Sequence, residues 1–464
     1  VDLHVSLTGR GDLVAQIYRQ LRDAIADGRL RPGERLPPTR ELARDLAVSR
    51  NTVAAAYDRL TAEGLLTGRV GAGTFVAGTA PGRPRHAPAG VLAARRIWDT
   101  LPDPIPVAHP VRHDFRVGAP DVRLFPVQTW RRLVSQSLRG REIPAGYGDP
   151  SGHSGLRAAV ARHLGIARSV HASAEDVLVT QGAQQALDLV VRVLVEPGDR
   201  VAVEDPGYPP ARRLLRSLGA RVTGVPVDGE GIVVDRIPRD ARLVHVTPSH
   251  QFPLGTPMSP ARRAALLEWA SRRDAVIVED DYDSEFRFAG RPLDPLQSLD
   301  RAGRVVYIGS FAKTLLPMLR LGFLVAPAAL RPALLKAKQL TDWHGDLVTQ
   351  AALARFLDEG LLTRHVRKAT REYAARHELI TRILDRDFGD WLRLVPSAAG
   401  LHVCARSAVD MSTVRAPGVA FDSLHTYYGD LPPEQGIALG YGAISLDDIP
   451  AGLRALRDAF RAAG

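Results

Sequence analysis

The sequence predicts two fold classes in one chain: a small α+β module of three helices and a wing, then a large α/β domain with a smaller C-terminal α/β lobe. Three observations predict this. Before residue 80, apolar residues recur at helical spacing and lead into a glycine-rich turn. From about residue 111, short apolar runs alternate with helical patterns and end in polar residues. Between the two lies a stretch rich in Pro and Arg. The boundaries predicted are 10–78 for the module, 79–110 for a linker and 111–464 for the large domain, its small lobe starting at about 345. A chain of 464 residues, 45% hydrophobic, is too long for one ordinary domain and ample for a large core plus a module.

The net charge of +10 suits a polyanionic partner. Residues 1–79 hold 11 Arg against 9 Asp/Glu, however, so the placement of the arginines must carry that reading rather than their number. Cys404 is the only cysteine, which excludes an intrachain disulfide and a cysteine metal cluster and fits a reducing cytosol. The start Val1-Asp2-Leu3-His4 has no signal-peptide profile, and no uncharged apolar run reaches 18 residues. A cytoplasmic protein with no membrane partner is expected.

In the module, Leu13, Ile17, Leu21 and Ile25 mark a first helix that ends at Gly28 and Arg31-Pro32-Gly33. Pro38 to Leu46 form a second helix, with Thr39 as its cap and Leu42 and Leu46 facing inward. After the Ala47-Val48 turn, Ser49 caps a third helix running to Leu60. Its first turn carries Arg50, Asn51 and Thr52, where a recognition helix presents side chains to the major groove. Thr67 to Val76 read as a two-stranded wing with Arg69 facing a phosphate or the minor groove. A helical dimerisation or packing domain is the other reading. This ordered set resembles the GntR-family winged helix-turn-helix over about residues 10–78. Asn51 and Thr52 can contact bases or backbone from the third helix, and the resemblance implies that Arg40, Arg50 and Thr52 contact double-stranded operator DNA, with Arg35 and Arg69 supporting. Pro38 stands where the family often has serine, a departure that removes one hydroxyl contact.

The linker holds Pro81, Pro84, Pro88, Pro102, Pro104, Pro106 and Pro110 with Arg83, Arg85, Arg95 and Arg96, a composition that favours an extended connector. Val91 to Trp98 are predicted as one short helix.

In the large domain, strands are predicted at Asp176–Thr180, Arg200–Glu204, Leu243–Val246, Ala275–Glu279 and Val305–Gly309, each running into polar residues. That layout puts a ligand at the carboxyl edge of a sheet in a three-layer α/β fold. Lys313 follows the last of these strands, and the chain's other lysines are Lys336, Lys338 and Lys368. Lysine can form a Schiff base and arginine cannot, so a lysine placed there suggests amine chemistry; a phosphate contact or a surface residue is the plainer reading. Asp280 can pair with a protonated pyridine nitrogen and Tyr282 can donate to a ring phenolic oxygen. Gly182, Ala183 and Gln184 open a helix and can offer N–H groups to a phosphate, with Ser310 and Arg320 completing the cup and Tyr208 stacking on the ring. A solvated acidic loop or weak metal site formed by Asp280, Asp281, Asp283 and Glu285 is the alternative, although no oxygen cage is visible.

Together with Tyr147 to Gly152, Glu204 to Tyr208 and Thr247 to Pro253, these segments resemble the MocR subfamily of GntR-family regulators along nearly the whole chain. In that subfamily a winged helix-turn-helix is fused to an aminotransferase-like domain of the pyridoxal 5′-phosphate (PLP) dependent transferase fold type I. The resemblance implies Lys313 as the Schiff-base lysine, Asp280 as partner of the ring nitrogen and Tyr282 as partner of the phenolic oxygen. It also implies Tyr147 reaching the phosphate across a subunit boundary in a head-to-tail homodimer. One segment departs from the fold's enzymes. Gln435 to Tyr441 lacks the arginine that clamps a substrate carboxylate near Ala438 in those enzymes; Arg212 and Arg213 are read either as an alternative anchor or, equally, as solvated helix residues. The expected function is a transcription factor responding to PLP or to an amine-containing effector, with vitamin B6 metabolism as one regulated set. Residual half-transamination is compatible with it. An aminotransferase with an accessory DNA-binding domain is the alternative.

Overall fold

A computed structural model describes residues 5–9, 11–78, 90–103, 110–139, 146–288 and 293–463. The chain divides into two units, Val1–Ala94 and Arg95–Gly464. Much of the linker reading, including Pro81, Arg83, Pro84, Arg85, Pro88, Pro104 and Pro106, lies outside the described residues. Among the described residues, no helix is long and apolar enough to cross a membrane.

The first unit has helices Leu13–Ala26, Thr39–Asp45 and Arg50–Ala62 and an antiparallel pair, Leu66–Arg69 with Gly73–Val76. Ile17, Leu21 and Ile25 from the first helix meet Leu42 from the second and Val53, Tyr57 and Leu60 from the third in one buried cluster. The hydroxyl of Tyr57 donates to the Pro37 carbonyl at 2.9 Å, which ties the third helix to the entry of the second. Ala47 takes φ +52°, the left-handed residue that makes the tight turn between them. Ser49 caps the third helix, accepting from the Thr52 N–H at 3.1 Å. Ser49→Ala is expected to destabilise this unit by about 1 kcal/mol. The check is a lowered first transition in a calorimetric scan of the full chain.

The second helix corrects the sequence reading. Thr39 is its first residue and Pro38 holds the cap position, with no side-chain cap bond. Proline presets the backbone for helix entry and has no side-chain oxygen to offer. The Thr39 hydroxyl instead accepts from Arg50 Nε at 3.4 Å. The Val91–Trp98 helix is also absent; only a 3₁₀ turn, Arg96–Thr100, forms there. Val91 and Leu92 are fully exposed, and a helix this short does not persist without an apolar face to bury.

The second unit is built on an eight-stranded sheet. Its strand order is Val177–Thr180, Gly322–Val325, Val305–Ser310, Val276–Asp281, Ala241–Val246, Arg200–Asp205, Arg221–Asp228 and Gly231–Ile232. The five strands from Val305–Ser310 to Arg221–Asp228 are parallel, and Gly322–Val325 runs antiparallel to both of its neighbours. Side chains alternate between two cores because the strand period is two. Leu178, Val201, Leu243, Val278 and Val306 pack with helix Ala183–Leu194 on one face. Ala202, Val244, Ile277 and Val305 pack with Trp269 and Leu266 of helix Pro260–Arg273 on the other. Both faces are covered, which gives three layers.

The smaller lobe has its own core around Tyr373, Ile380, Val403, Ile437 and Leu453. It joins helix Leu361–Asp387, the strands Leu392–Leu394, His402–Ser407, Gly436–Gly440 and Asp422–Ser423, and helix Ile449–Ala463. Its limits differ from the predicted start near 345. Helix Leu347–Asp358 packs Ala352, Leu353 and Phe356 into the large-lobe core with Leu156 and Val160. Conversely, His113–Asp114 pairs with Val419–Ala420 and Phe115 is buried in the small-lobe core. The chain thus enters the small lobe before it builds the large one.

Candidate functional site

In the first unit, Arg50 and Asn51 stand exposed on the opening turn of the third helix, and Arg40 is exposed on the second. The Thr52 hydroxyl shares a hydrogen bond with Ser49 Oγ at 2.8 Å, so the cap already holds the group predicted to reach DNA. On the wing, the Arg69 guanidinium lies over the Phe75 ring, 4.8 Å from its centroid. Gly73, at φ +114°, lets Arg35 approach; a Cβ there would sit 2.9 Å from Arg35 Nε. Arg35 and Arg69 therefore both flank the wing, and the exposed helix end and wing present cations on a scaffold fixed by a small core.

In the second unit, the carboxyl ends of the parallel strands open into a cavity of about 600 Å³. Nine residues predicted as site residues line it: Gly182, Ala183, Gln184, Tyr208, Asp280, Tyr282, Ser310, Lys313 and Arg320. The tenth, Tyr147, does not. It is 80% exposed and stacks on Trp343 with ring centroids 4.8 Å apart.

Lys313 sits just past strand Val305–Ser310, and its Nζ donates to the carbonyl of Gly118. Burial pushes the amine below its ordinary value, against the opposing pull of Asp283 and Asp280. A Cβ at Gly118, whose φ is +104°, would come within 3.2 Å of Nζ, so glycine makes room for the amine. Asp280 is the penultimate residue of the neighbouring strand, Val276–Asp281, and is 7% exposed. One oxygen lies 3.5 Å from His245 Nε2, and the other has no hydrogen-bond partner among the described residues. A buried carboxylate with a free lone pair is costly unless a donor reaches it.

Tyr282 is positioned by a buried network. Its hydroxyl lies 2.9 Å from His250 Nδ1, which also faces both oxygens of Asp283 at 3.1 and 3.2 Å. His250 Nε2 lies 3.0 Å from Ser397 Oγ, whose hydroxyl can donate to it. A carboxylate at Nδ1 favours a proton on that nitrogen, which frees the Tyr282 proton for another acceptor. Burial, then Asp283 and Asp280, raise the Tyr282 phenol well above its ordinary value and keep it a donor. Tyr208 is pushed up to about 12, chiefly by burial and secondarily by Asp280.

Gly182, at φ +87°, precedes helix Ala183–Leu194, whose first turn has no side-chain cap. The N–H groups there are free for an anion. Arg320 leans over this turn, donating to the Gln181 carbonyl at 2.6 Å, and a Cβ at Gly182 would lie 3.4 Å from its guanidinium. Ser310 Oγ accepts from the Ala312 N–H at 3.1 Å. An anion cradle, a buried acceptor and a neutral-leaning amine share one cavity, and that donor set fits PLP.

Two expectations are corrected. The acidic run is not a solvated loop: Asp280, Asp281 and Asp283 are buried, and Asp281 pairs with Arg168 at 3.0 Å and accepts from Tyr307. Arg212 is no ligand anchor, because it is buried and paired with Asp205 at 3.1 Å; Arg213 lines the cavity instead. Sequence reasoning missed Gly118, Phe252, His402 and Tyr427, which reach the cavity from distant segments. The histidine in Ser249-His250-Gln251 and the aspartate after Tyr282 were visible signals of the network, but neither revealed the other as its partner.

Residues 13–76 match the bacterial regulatory proteins of the gntR family, and residues 114–411 match aminotransferase class I and II. The chain is 40% identical to the probable rhizopine catabolism regulatory protein MocR of Rhizobium meliloti, over 96% of this chain and 93% of that protein. It is 32% identical to the pyridoxine biosynthesis transcriptional regulator PdxR of Corynebacterium glutamicum, over 96% and 95%. Among solved structures, the α-aminoadipate aminotransferase LysN of Thermus thermophilus, complexed with N-(5′-phosphopyridoxyl)-L-leucine, is similar with a TM-score of 0.69 and 30% identity. The match covers 76% of this chain and 92% of LysN.

Proposed function

The chain belongs to the MocR subfamily of the GntR-family transcriptional regulators, and on that premise we propose that it binds PLP at Lys313 and couples occupancy of the cavity to operator binding. The observation that carries this reading is that Lys313 and the unsatisfied carboxylate of Asp280 line one cavity. When bound, PLP supplies an electrophilic carbonyl and an electron-withdrawing ring.

The chain's own residues then have separable tasks. Lys313 offers an amine whose burial favours the neutral, nucleophilic form. Asp280 would hold a proton on the ring nitrogen, and Tyr282, oriented by His250 and Asp283, would donate to the phenolic oxygen. Gly182, Ala183, Gln184, Ser310 and Arg320 would hold the phosphate, and Tyr208 would cover the ring. Tyr147, outside this cavity and exposed beside Trp343, would serve the partner subunit of a homodimer in which paired heads meet paired half-sites, a reading that its exposure supports.

The regulator reading is favoured over the aminotransferase reading by strand Gly436–Gly440. It is buried along its length, and Ala438, fully buried, pairs with Cys404, so this strand supplies no carboxylate clamp. The likeness to PdxR supports vitamin B6 metabolism as a regulated set. A ligand shifts DNA affinity only by binding the two arrangements of the protein unequally. Affinity for the protein's own upstream DNA should therefore change about 5- to 150-fold between apo-protein and protein loaded with PLP, or with PLP plus an amine. Fluorescence anisotropy of labelled DNA measures this. Identical isotherms in every state would overturn the proposal.

A further inference from the structure

The segment that brings the chain into the second unit also touches the cofactor lysine. Residues 113–121 are fastened along the small lobe. His113–Asp114 pairs in parallel with Val419–Ala420, and Phe115 is buried in the small-lobe core. The Phe115 carbonyl accepts from the Gly440 N–H at 2.7 Å, and the Val117 N–H donates to Asp422 at 2.7 Å. At the far end Asp121 and Arg376 form an ion pair whose side chains are 2% and 4% exposed. Arg376 also donates to the carbonyls of Tyr441 and Gly442, at 3.2 and 2.8 Å. The backbones touch: a Cβ at Gly440 would lie 2.2 Å from the Arg116 carbonyl oxygen, and one at Gly442 would lie 1.9 Å from that of Ala119. A backbone gripped at both ends by one lobe moves with that lobe.

Between those grips the strap forms part of the cavity wall at Arg116, Val117 and Gly118. There the Gly118 carbonyl accepts from Nζ of Lys313, which follows a strand of the large lobe. Gly118 takes φ +104°, a backbone conformation that favours glycine, and the missing side chain leaves Nζ its room. The amine thus ties the strap to the large lobe. Towards the N-terminus the strap continues through residues 95–112 to the first unit.

We propose that the Lys313–Gly118 hydrogen bond is a latch: it fastens residues 113–121 to the large lobe in the cofactor-free protein, and covalent capture of PLP opens it. This rests on the reading of Lys313 as the cofactor lysine. The chemistry of capture removes the donor. The neutral amine adds to the aldehyde carbon, a C=N bond replaces C=O, and the oxygen leaves as water with both amine hydrogens. A proton regained by Nζ lies in the plane of the new double bond and is shared with the ring phenolic oxygen, so the Gly118 carbonyl stays without it. The strap is then free to follow the small lobe, and with it the chain that leads to the DNA-binding unit. Loss of one such hydrogen bond shifts a two-state equilibrium by about 10- to 100-fold.

The test compares the full-length wild type with Lys313→Met and Lys313→Arg. Methionine reaches as far as the last carbon of the lysine side chain and has no donor there. Arginine keeps donors and cannot form the C=N bond. Affinity for the upstream DNA is measured by fluorescence anisotropy, and hydrogen exchange of residues 116–121 by mass spectrometry. Cofactor-free Lys313→Met should reproduce the DNA affinity and the faster strap exchange of PLP-loaded wild type, whereas Lys313→Arg should match cofactor-free wild type. Unchanged exchange across the eight-stranded sheet verifies that both variants are folded, and strap exchange in the wild type, with and without PLP, reads the latch independently of either. Lys313→Met indistinguishable from cofactor-free wild type, or wild-type strap exchange unmoved by PLP, would overturn the inference and leave the cofactor reading standing. A DNA affinity that shifts only when an amine is added to the PLP-loaded wild type would also overturn it. A DNA affinity unmoved by PLP with or without an amine is a distinct result, which overturns the proposed function itself.

Discussion

Lys313→Ala is expected to abolish covalent retention of PLP while leaving the chain folded and able to bind DNA in its apo state. The amine makes one hydrogen bond, to the Gly118 carbonyl, and forms no ion pair among the described residues, so its removal leaves a single acceptor to be rehydrated in an open cavity. The remaining lysines cannot replace it: Lys338 is buried and paired with Asp342, and Lys336 and Lys368 are not among the residues lining the cavity. Borohydride reduction of PLP-treated protein, followed by peptide mass mapping, should label the Lys313 peptide in the wild type and nothing specific in the variant. The pH dependence has a definite sign. The neutral amine is the nucleophile, and burial lowers the Lys313 pKa below its ordinary 10.5, so capture should reach its plateau at lower pH than for an exposed lysine. Equal labelling in Lys313→Ala would remove the residue from its assigned place.

Arg50→Ala is the second large effect expected. Arg50 stands exposed on the first turn of the third helix, its Nε held against Thr39 at 3.4 Å, and the helix is fixed behind it by Val53, Tyr57 and Leu60. A guanidinium placed there to read a base edge contributes about 1–3 kcal/mol of discrimination. Operator affinity should therefore fall about 5- to 150-fold while affinity for random DNA falls less. Arg69, at the wing and stacked on Phe75, gives the contrast. Arg69→Ala should weaken all sequences alike and reduce the salt slope by about 1, as loss of a phosphate contact does. Competition binding at two salt concentrations separates the two. An Arg50→Ala variant with unchanged operator preference would show that another surface reads the sequence.

The parts of the site legible in the sequence were those set by local order. Lys313 and Asp280 sit at strand ends, where alternation of apolar strands and polar turns gives their position directly. Ser49 as a cap was legible for the same reason, because an oxygen three residues ahead of a helical N–H is a local signal. Thr39 was misplaced by one residue because Pro38 can hold the cap position without a cap bond. Arg212 and Arg213 could not be told apart, since a rotation of one residue on the helix decides which meets Asp205 and which meets the cavity. The His250–Asp283 contact and the approach of Gly118 to Lys313 join segments far apart in sequence, and only the assembled sheet and the early passage through the small lobe bring them together.

The central claim is that cavity and operator are thermodynamically linked, and linkage is reciprocal. The most direct test is the affinity of the wild-type protein for PLP, measured by its visible absorption, without DNA and with saturating upstream DNA. The account predicts that DNA shifts PLP affinity by the same factor by which PLP shifts DNA affinity. Equal PLP affinities in both conditions, alongside tight DNA binding, would contradict it.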